Sequence, residues 1–132
     1  MRYIVSIIIE NNKNEVLLQL RDNNAKYYKH CWVFLGGKKE KKESEIEGII
    51  REIKEEIGIK ITNPRLVKCY KIRETELYLF YIKRNININK IKLTEGEKIK
   101  FFKPQNVLTI KTGYNIKQII KDFIKFKNDK KC

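Results

Sequence analysis

The run GKKEKKESEIEGIIREIKEEIGI, from Gly37 to Ile59, limits the fold of this chain more than any other stretch. It sets Gly37, Glu43, Arg51, Glu52, Glu55, Glu56 and Gly58 in the register G-x5-E-x7-R-E-I-x-E-E-x-G-I, a glycine loop leading into an acidic helix. Ser44 and Glu47 form a capping box at the helix start, and Gly58 is placed to stop it after Ile57. At about 100° per residue, Ile46, Ile49, Ile50, Ile53 and Ile57 share one arc, which predicts a core-facing stripe. Glu52, Glu55 and Glu56 share another arc at i, i+3 and i+4, so their side chains are expected to converge. Arg51 lies at the far edge of that arc, and Gly48, one turn before Glu52, leaves room for something to approach. Clustered like charges are costly unless cations neutralise them. A hard divalent ion such as magnesium, which takes oxygen ligands, is the simplest such cation. E-x-x-E-E alone fits a solvated face balanced by Lys54 and its neighbours. The preceding Gly-Gly pair, the register and the capping signal together favour a metal-holding face.

The rest of the chain supplies a sheet for this helix. YIVSIII (Tyr3–Ile9) reads as a buried strand, and EVLLQL (Glu15–Leu20) as its hairpin partner, with Asn11, Asn12 and Asn14 in the turn. Arg21–His30 is a polar loop holding two tyrosines. WVFL (Trp32–Leu35) is a short strand ending at Gly36-Gly37. RLVKCYKI and ELYLFYIK form a strand pair joined by Arg73-Glu74-Thr75, and KIKFF (Lys98–Phe102) is the last strand. Lys83–Lys92 is a basic, Asn-rich connection, either disordered or a loop on the substrate side. Pro104 opens a short turn or helix through Ile110. Ile116, Ile119, Ile120, Phe123 and Ile124 mark a final amphipathic helix, and the KNDKKC tail is expected to fray. The order β-β-β-α-β-β-β-α predicts an α/β (α+β) fold with a mixed sheet between helices, as one domain over residues 1–132.

Composition narrows the classes of function. With 132 residues, 42% of them hydrophobic, the chain can bury a real core. No stretch is apolar for long enough to span a bilayer, and Glu10-Asn11 stands where a secretory cleavage site would need small residues. Cys31, Cys69 and Cys132 form no C-x-x-C pair, which points to free thiols in a reducing cytoplasm. The net charge of +14 fits attraction to a polyanion, or a compositional bias toward Lys, Ile and Asn. Lysines greatly outnumber arginines and are scattered, which favours the bias. His30, the only histidine, reads as a strand-edge residue beside Cys31 and Trp32 rather than a ligand.

The Gly37–Ile59 run resembles the Nudix box, G-x5-E-x7-R-E-U-x-E-E-x-G-U with U aliphatic, at each fixed position. The strand order resembles the Nudix α/β/α sandwich. The resemblance implies magnesium- or manganese-dependent hydrolysis of a nucleoside diphosphate linked to another group. A pyrophosphate bridge repels nucleophiles, and metals neutralise its oxygens and activate water. By the same resemblance, Glu52, Glu55, Glu56 and the Gly37 carbonyl hold the metals. Glu52 is the base in some members, Arg51 orients it, and Glu43 ties the loop to the helix. Which glutamate is the base varies within the family.

W-V-F-L-G-G-K-K-E is also similar to the MutT branch, the nucleoside triphosphate pyrophosphohydrolases. Lys38 matches a phosphate-facing lysine there, or is one more exposed lysine. Leu35 departs from that branch's usual proline, which loosens the entry to the loop. Glu95 aligns with a distal glutamate that completes the metal site, with Glu97 as competitor. Asn115 matches an asparagine that reads the purine base, or caps the last helix. Arg21, Phe34 and Tyr78 are candidates for the nucleoside pocket, or are a surface arginine and core aromatics. The expected substrate is a (d)NTP, with oxidised purine nucleotides included. Nucleotide sugars, ADP-ribose, dinucleoside polyphosphates and RNA 5′ ends are the alternatives. The short chain, lacking an added dimer-forming N-terminal domain, leans against many ADP-ribose enzymes. A non-catalytic nucleotide- or RNA-binding module ranks last, because the box glutamates are intact. A monomer and a homodimer both fit, and no membrane partner is expected.

Overall fold

A computed structural model describes residues 1–130. The chain runs β1 (Arg2–Glu10), β2 (Val16–Leu20), β3 (Trp32–Val33), β4 (Leu35–Lys38), α1 (Glu45–Ile57), β5 (Arg65–Ile72) and β6 (Thr75–Lys83). A 3-10 turn (Ile88–Lys90), β7 (Lys98–Phe102), α2 (Pro104–Val107) and α3 (Ile116–Lys130) complete it. The seven strands form one mixed sheet in the order β3-β2-β1-β6-β5, with β4 on β1 and β7 on β2. At its centre β1 runs parallel to β6, from Arg2↔Thr75 to Glu10↔Lys83. The β1–β2 hairpin closes through Asn11, whose side-chain oxygen accepts from the Lys13 and Glu15 amides, while Asn14 takes the left-handed backbone (φ 59°).

Alternation along the strands divides the core into two layers. Val5, Ile7, Ile9, Leu17, Leu35 and Phe80 pack against Ile49, Ile53 and Ile57 of α1. Ile8, Val16, Leu18, Leu77 and Leu79 pack against Ile116, Ile119, Ile120 and Phe123 of α3. The sheet is thus sandwiched between helices. Both capping-box hydrogen bonds of α1 are present, and Gly58 ends the helix at φ 72°, its N–H donating to the Lys54 carbonyl.

Four local expectations need correction. The strand at WVFL breaks at Phe34, and its second half passes through Gly36-Gly37 to Lys38 instead of ending at the glycines. Lys83–Lys92 is neither disordered nor on the substrate side. The alternating N-I-N-I-N pattern sends Ile86 and Ile88 onto the α1-side core while Asn87 caps the 3-10 turn. Ile46, in the first turn of α1, stays 42% exposed. The tail is helical through Lys130, and its last two residues lie outside those described.

Candidate active site

The two glycines of β4 set the site by close approach. Gly36 has φ +148°, and a Cβ there would run into the Val5 carbonyl and lie 2.8 Å from Ser6 Cα. Only glycine can keep β4 this close to β1 in that conformation. The Gly36 N–H donates to Glu56 Oε1 at 3.0 Å, carrying the contact from the sheet to α1. At Gly37 a Cβ would stand 2.6 Å from the Glu52 carboxyl, so the loop backbone lies directly against that side chain.

Arg51 organises the helix face. Its Nη2 and Nε donate to Glu43 at 2.7 and 2.9 Å, and its Nη1 donates to Glu52 and Glu55, both at 3.1 Å. A further bond from Nη2 reaches the Lys38 carbonyl at 3.2 Å. The paired, charge-assisted bonds hold the Glu43 carboxyl down at about 2 and raise the Arg51 pKa. Gly48 proves to make room for Glu43, whose oxygen would be 3.1 Å from a Cβ there. The Glu43–Arg51 pair therefore ties the loop to the helix.

Glu52 and Glu56 experience the reverse. Burial pushes Glu56 up to about 9, helped by the negative charges of Glu52 and Glu95. Burial also raises Glu52, with Glu55 and Glu95 adding to the shift and Arg51 opposing it. Glu56 is 3% exposed although it falls on the polar arc of the helix. Glu52, Glu55 and Glu56 line one cleft. Among the described residues no three acidic, His or Cys side chains meet as a metal-holding group. Glu52 and Glu55 share Arg51 Nη1, while Glu56 accepts from the Gly36 amide.

These groups line a cleft of about 730 Å³ with Arg21, Phe34, Gly37, Lys38 and Glu95. Glu95 lines the cleft and Glu97 does not. Tyr78 is not in it and packs on the α1-side core, its strand neighbour Leu77 lining the cleft instead. Its hydroxyl donates to Glu76. Asn115 is also outside, while its neighbours Tyr114 and Ile116 line the cleft. His30 sits in the loop before β3 at φ 59°, its ring bonded to Asn23, and not on a strand edge.

Sequence reasoning missed the mouth of the cleft. Arg2 and Lys26 each lie 5.4 Å over the Tyr27 ring, and Arg21 lies 5.8 Å over Tyr114. Tyr114 in turn stacks at 4.6 Å on Tyr28. These residues carry no period and no shared motif, and three separate segments bring them together.

The oxygen donors fit a hard divalent cation. Carboxylates that repel one another sit beside a glycine backbone a Cβ would obstruct, and among the described residues no sulfur or imidazole donor lines the cleft.

The NUDIX domain family matches residues 1–123 of the chain. Over 83 residues the chain is 34% identical to an 8-oxo-dGTP diphosphatase of Buchnera aphidicola subsp. Schizaphis graminum (strain Sg). That match spans 61% of this chain and 62% of the relative, less than two thirds of its length. A MutT protein from work on Aliivibrio salmonicida and Vibrio cholerae superposes with a TM-score of 0.77 at 22% identity, covering 92% of this chain and 94% of its own. The NUDIX domain of Shewanella oneidensis NrtR, solved with ADP ribose, gives 0.77 at 13% identity, covering 93% and 86%. These two structures share the fold.

Proposed function

The chain belongs to the Nudix family, and on that footing we propose that residues 1–132 act as one domain hydrolysing the pyrophosphate bond of a (d)NTP with magnesium or manganese. Oxidised purine nucleotides are included in this substrate class, supported by the name of the Buchnera relative. The observation that carries the reading is the buried Glu56 and half-buried Glu52 held against Gly36-Gly37 in a nucleotide-sized cleft that also holds Arg21 and Lys38. Glu52, Glu55, Glu56, Glu95 and the Gly37 carbonyl would hold the cation, which when bound neutralises phosphate oxygens and lowers the pKa of water.

The chain's own residues do the remainder. Arg21 and Lys38 bind and orient the phosphates. Arg51 fixes Glu52 through Nη1, leaving its carboxylate to accept the proton of the attacking water. Phe34, nearly buried in the cleft wall, offers an apolar surface to the nucleoside. Asn115 and Tyr78 have no part in this reading.

Product analysis tests it. Incubation of a dNTP with magnesium is expected to give NMP and pyrophosphate by ³¹P spectroscopy. The same screen should include oxidised dGTP, ADP-ribose, nucleotide sugars, dinucleoside polyphosphates and triphosphorylated RNA. Orthophosphate as product, or sugar phosphate from a better substrate, would move the substrate class. RNA 5′ ends are the second reading, favoured by the cationic and aromatic mouth at Arg2, Lys26 and Tyr27. A cytoplasmic location is part of the proposal, supported by the free thiols of Cys31 and Cys69. No helix among the described residues is long and apolar enough to cross a membrane. Both a monomer and a homodimer suit the reading.

The raised Glu56 pKa makes a separate thermal prediction. The folded state binds this proton more tightly than the unfolded state, where the carboxyl has its ordinary value of 4.5. Its contribution to stability is therefore greatest at low pH and is lost as pH rises toward about 9. Metal-free protein should melt lower at about pH 9 than at about pH 6, and the gain in Tm from magnesium should grow over the same interval. A magnesium shift independent of pH would mean that Glu56 does not exchange its proton for the ion.

A further inference from the structure

The loop carrying Glu95 is held against α1 from two directions. Thr94 Oγ1 donates to the Glu55 carbonyl at 2.8 Å, and the Thr94 N–H donates to the Glu56 carbonyl at 3.4 Å. These carbonyls lie in the last turn of α1, where the helix offers them no amide partner. A residue 39 positions away in sequence thus caps the C-terminal end of the acidic helix. From the other side, Gln19 Nε2 donates to the Glu95 carbonyl at 2.6 Å.

Gln19 is an unusual residue for its place. It is 5% exposed in the middle of the sheet, paired with Val33 on one side and Ile99 on the other. It points to the same side of β2 as Leu17, which belongs to the α1-side core. An amide buried there is unfavourable unless it is hydrogen-bonded. Gly96 completes the arrangement with φ +81° and a backbone pressed onto the Gln19 amide, where any Cβ would collide.

We propose that Gln19 and Thr94 are positioning residues that hold Glu95 beside Glu52 and Glu56 before a cation arrives. This rests on the functional reading above, in which Glu95 is one of the oxygen donors. Left alone, an exposed loop bearing a carboxylate would swing away from the acidic face of α1 once Glu52 and Glu56 are ionised. The bonds from Gln19 and Thr94 oppose that repulsion, so the donor set is assembled at the expense of side chains that never touch the ion. Groups standing behind ligands in this way commonly tune affinity by roughly tenfold or more.

Gln19→Leu and Thr94→Val test the inference, with Thr94→Ser as the conservative control. Magnesium binding to nucleotide-free protein is read by calorimetry, and amide hydrogen exchange over residues 94–96 is read in metal-free protein. Each of the first two variants should weaken magnesium binding by about tenfold. Each should speed exchange in the loop and raise the magnesium concentration for half-maximal rate. The rate at saturating magnesium should stay within about threefold, and Thr94→Ser should behave as the parent. Thr94 is exposed, so its variants test the idea even where Gln19→Leu disturbs the sheet. Unchanged magnesium affinity in folded Thr94→Val, with parent-like exchange, would overturn the inference. A parent protein that hydrolyses no nucleotide with any divalent metal would instead overturn the functional reading.

Discussion

Glu56→Gln is expected to slow nucleotide hydrolysis by about a hundredfold or more at saturating magnesium while leaving the protein folded. The substitution is nearly isosteric, and the amide oxygen can still accept from the Gly36 N–H now bonded at 3.0 Å. The negative charge with which Glu56 would help hold a cation in the proposed function is lost. The same change removes a buried carboxyl raised to about 9 by its surroundings. Metal-free Glu56→Gln should therefore melt no lower than the parent at neutral pH, and its Tm should lose the fall expected between about pH 6 and about pH 9. Initial rates and melting curves on one preparation read both effects. Full activity would remove Glu56 from the metal site. A large drop in Tm would mean that its role is to support β4 and not the chemistry.

Gly36→Ala is expected to be the most damaging small substitution in the chain. The added methyl would enter the space of the Val5 carbonyl and approach Ser6 Cα, in a backbone conformation that L residues rarely adopt. Neither obstacle is a flexible side-chain end. Both belong to β1, the strand paired to β2, β4 and β6, so relief requires moving the centre of the sheet. Strain and overpacking together should cost about 3 kcal/mol or more. At this chain length that corresponds to a fall in Tm of roughly 10 °C. Gly37→Ala is the informative comparison. Its methyl meets the end of the Glu52 side chain, which can turn aside, so activity should suffer more than stability. A Gly36→Ala protein melting within a degree or two of the parent would show that β4 can separate from β1 without loss.

Glu56 falls in a helix that was well read from the sequence and Gly36 in a strand whose end was misplaced, and each depends on something the sequence did not carry. The capping box at Ser44, the stop at Gly58 and the buried stripe of Ile49, Ile53 and Ile57 are local, and each arose where spacing predicted it. The hairpin at Asn11–Asn14 and the two-layer core follow from similarly local rules. Glu56 was placed with Glu52 and Glu55 on one metal-holding arc, but its burial against Gly36 was not legible, because a helical wheel has no knowledge of the strand lying against it. Tyr78 was open between the nucleoside pocket and the core, and its phase in β6 puts it on the α1-side core.

What the sequence alone determined is the register of the Gly37–Ile59 run, and with it the helix, its caps and the set of carboxylates available for chemistry. Those features rest on interactions within a few residues, which periodicity and side-chain type encode directly. Tertiary structure decided which of the carboxylates are buried and repelling, how Arg51 is shared among Glu43, Glu52 and Glu55, and how Gln19 and Thr94 bring Glu95 to the helix. It also brought Arg2, Lys26, Tyr27 and Tyr114 to one cleft mouth. These outcomes depend on strand pairing and burial between residues distant in the chain, where a shift of one position moves a side chain from one face of the sheet to the other.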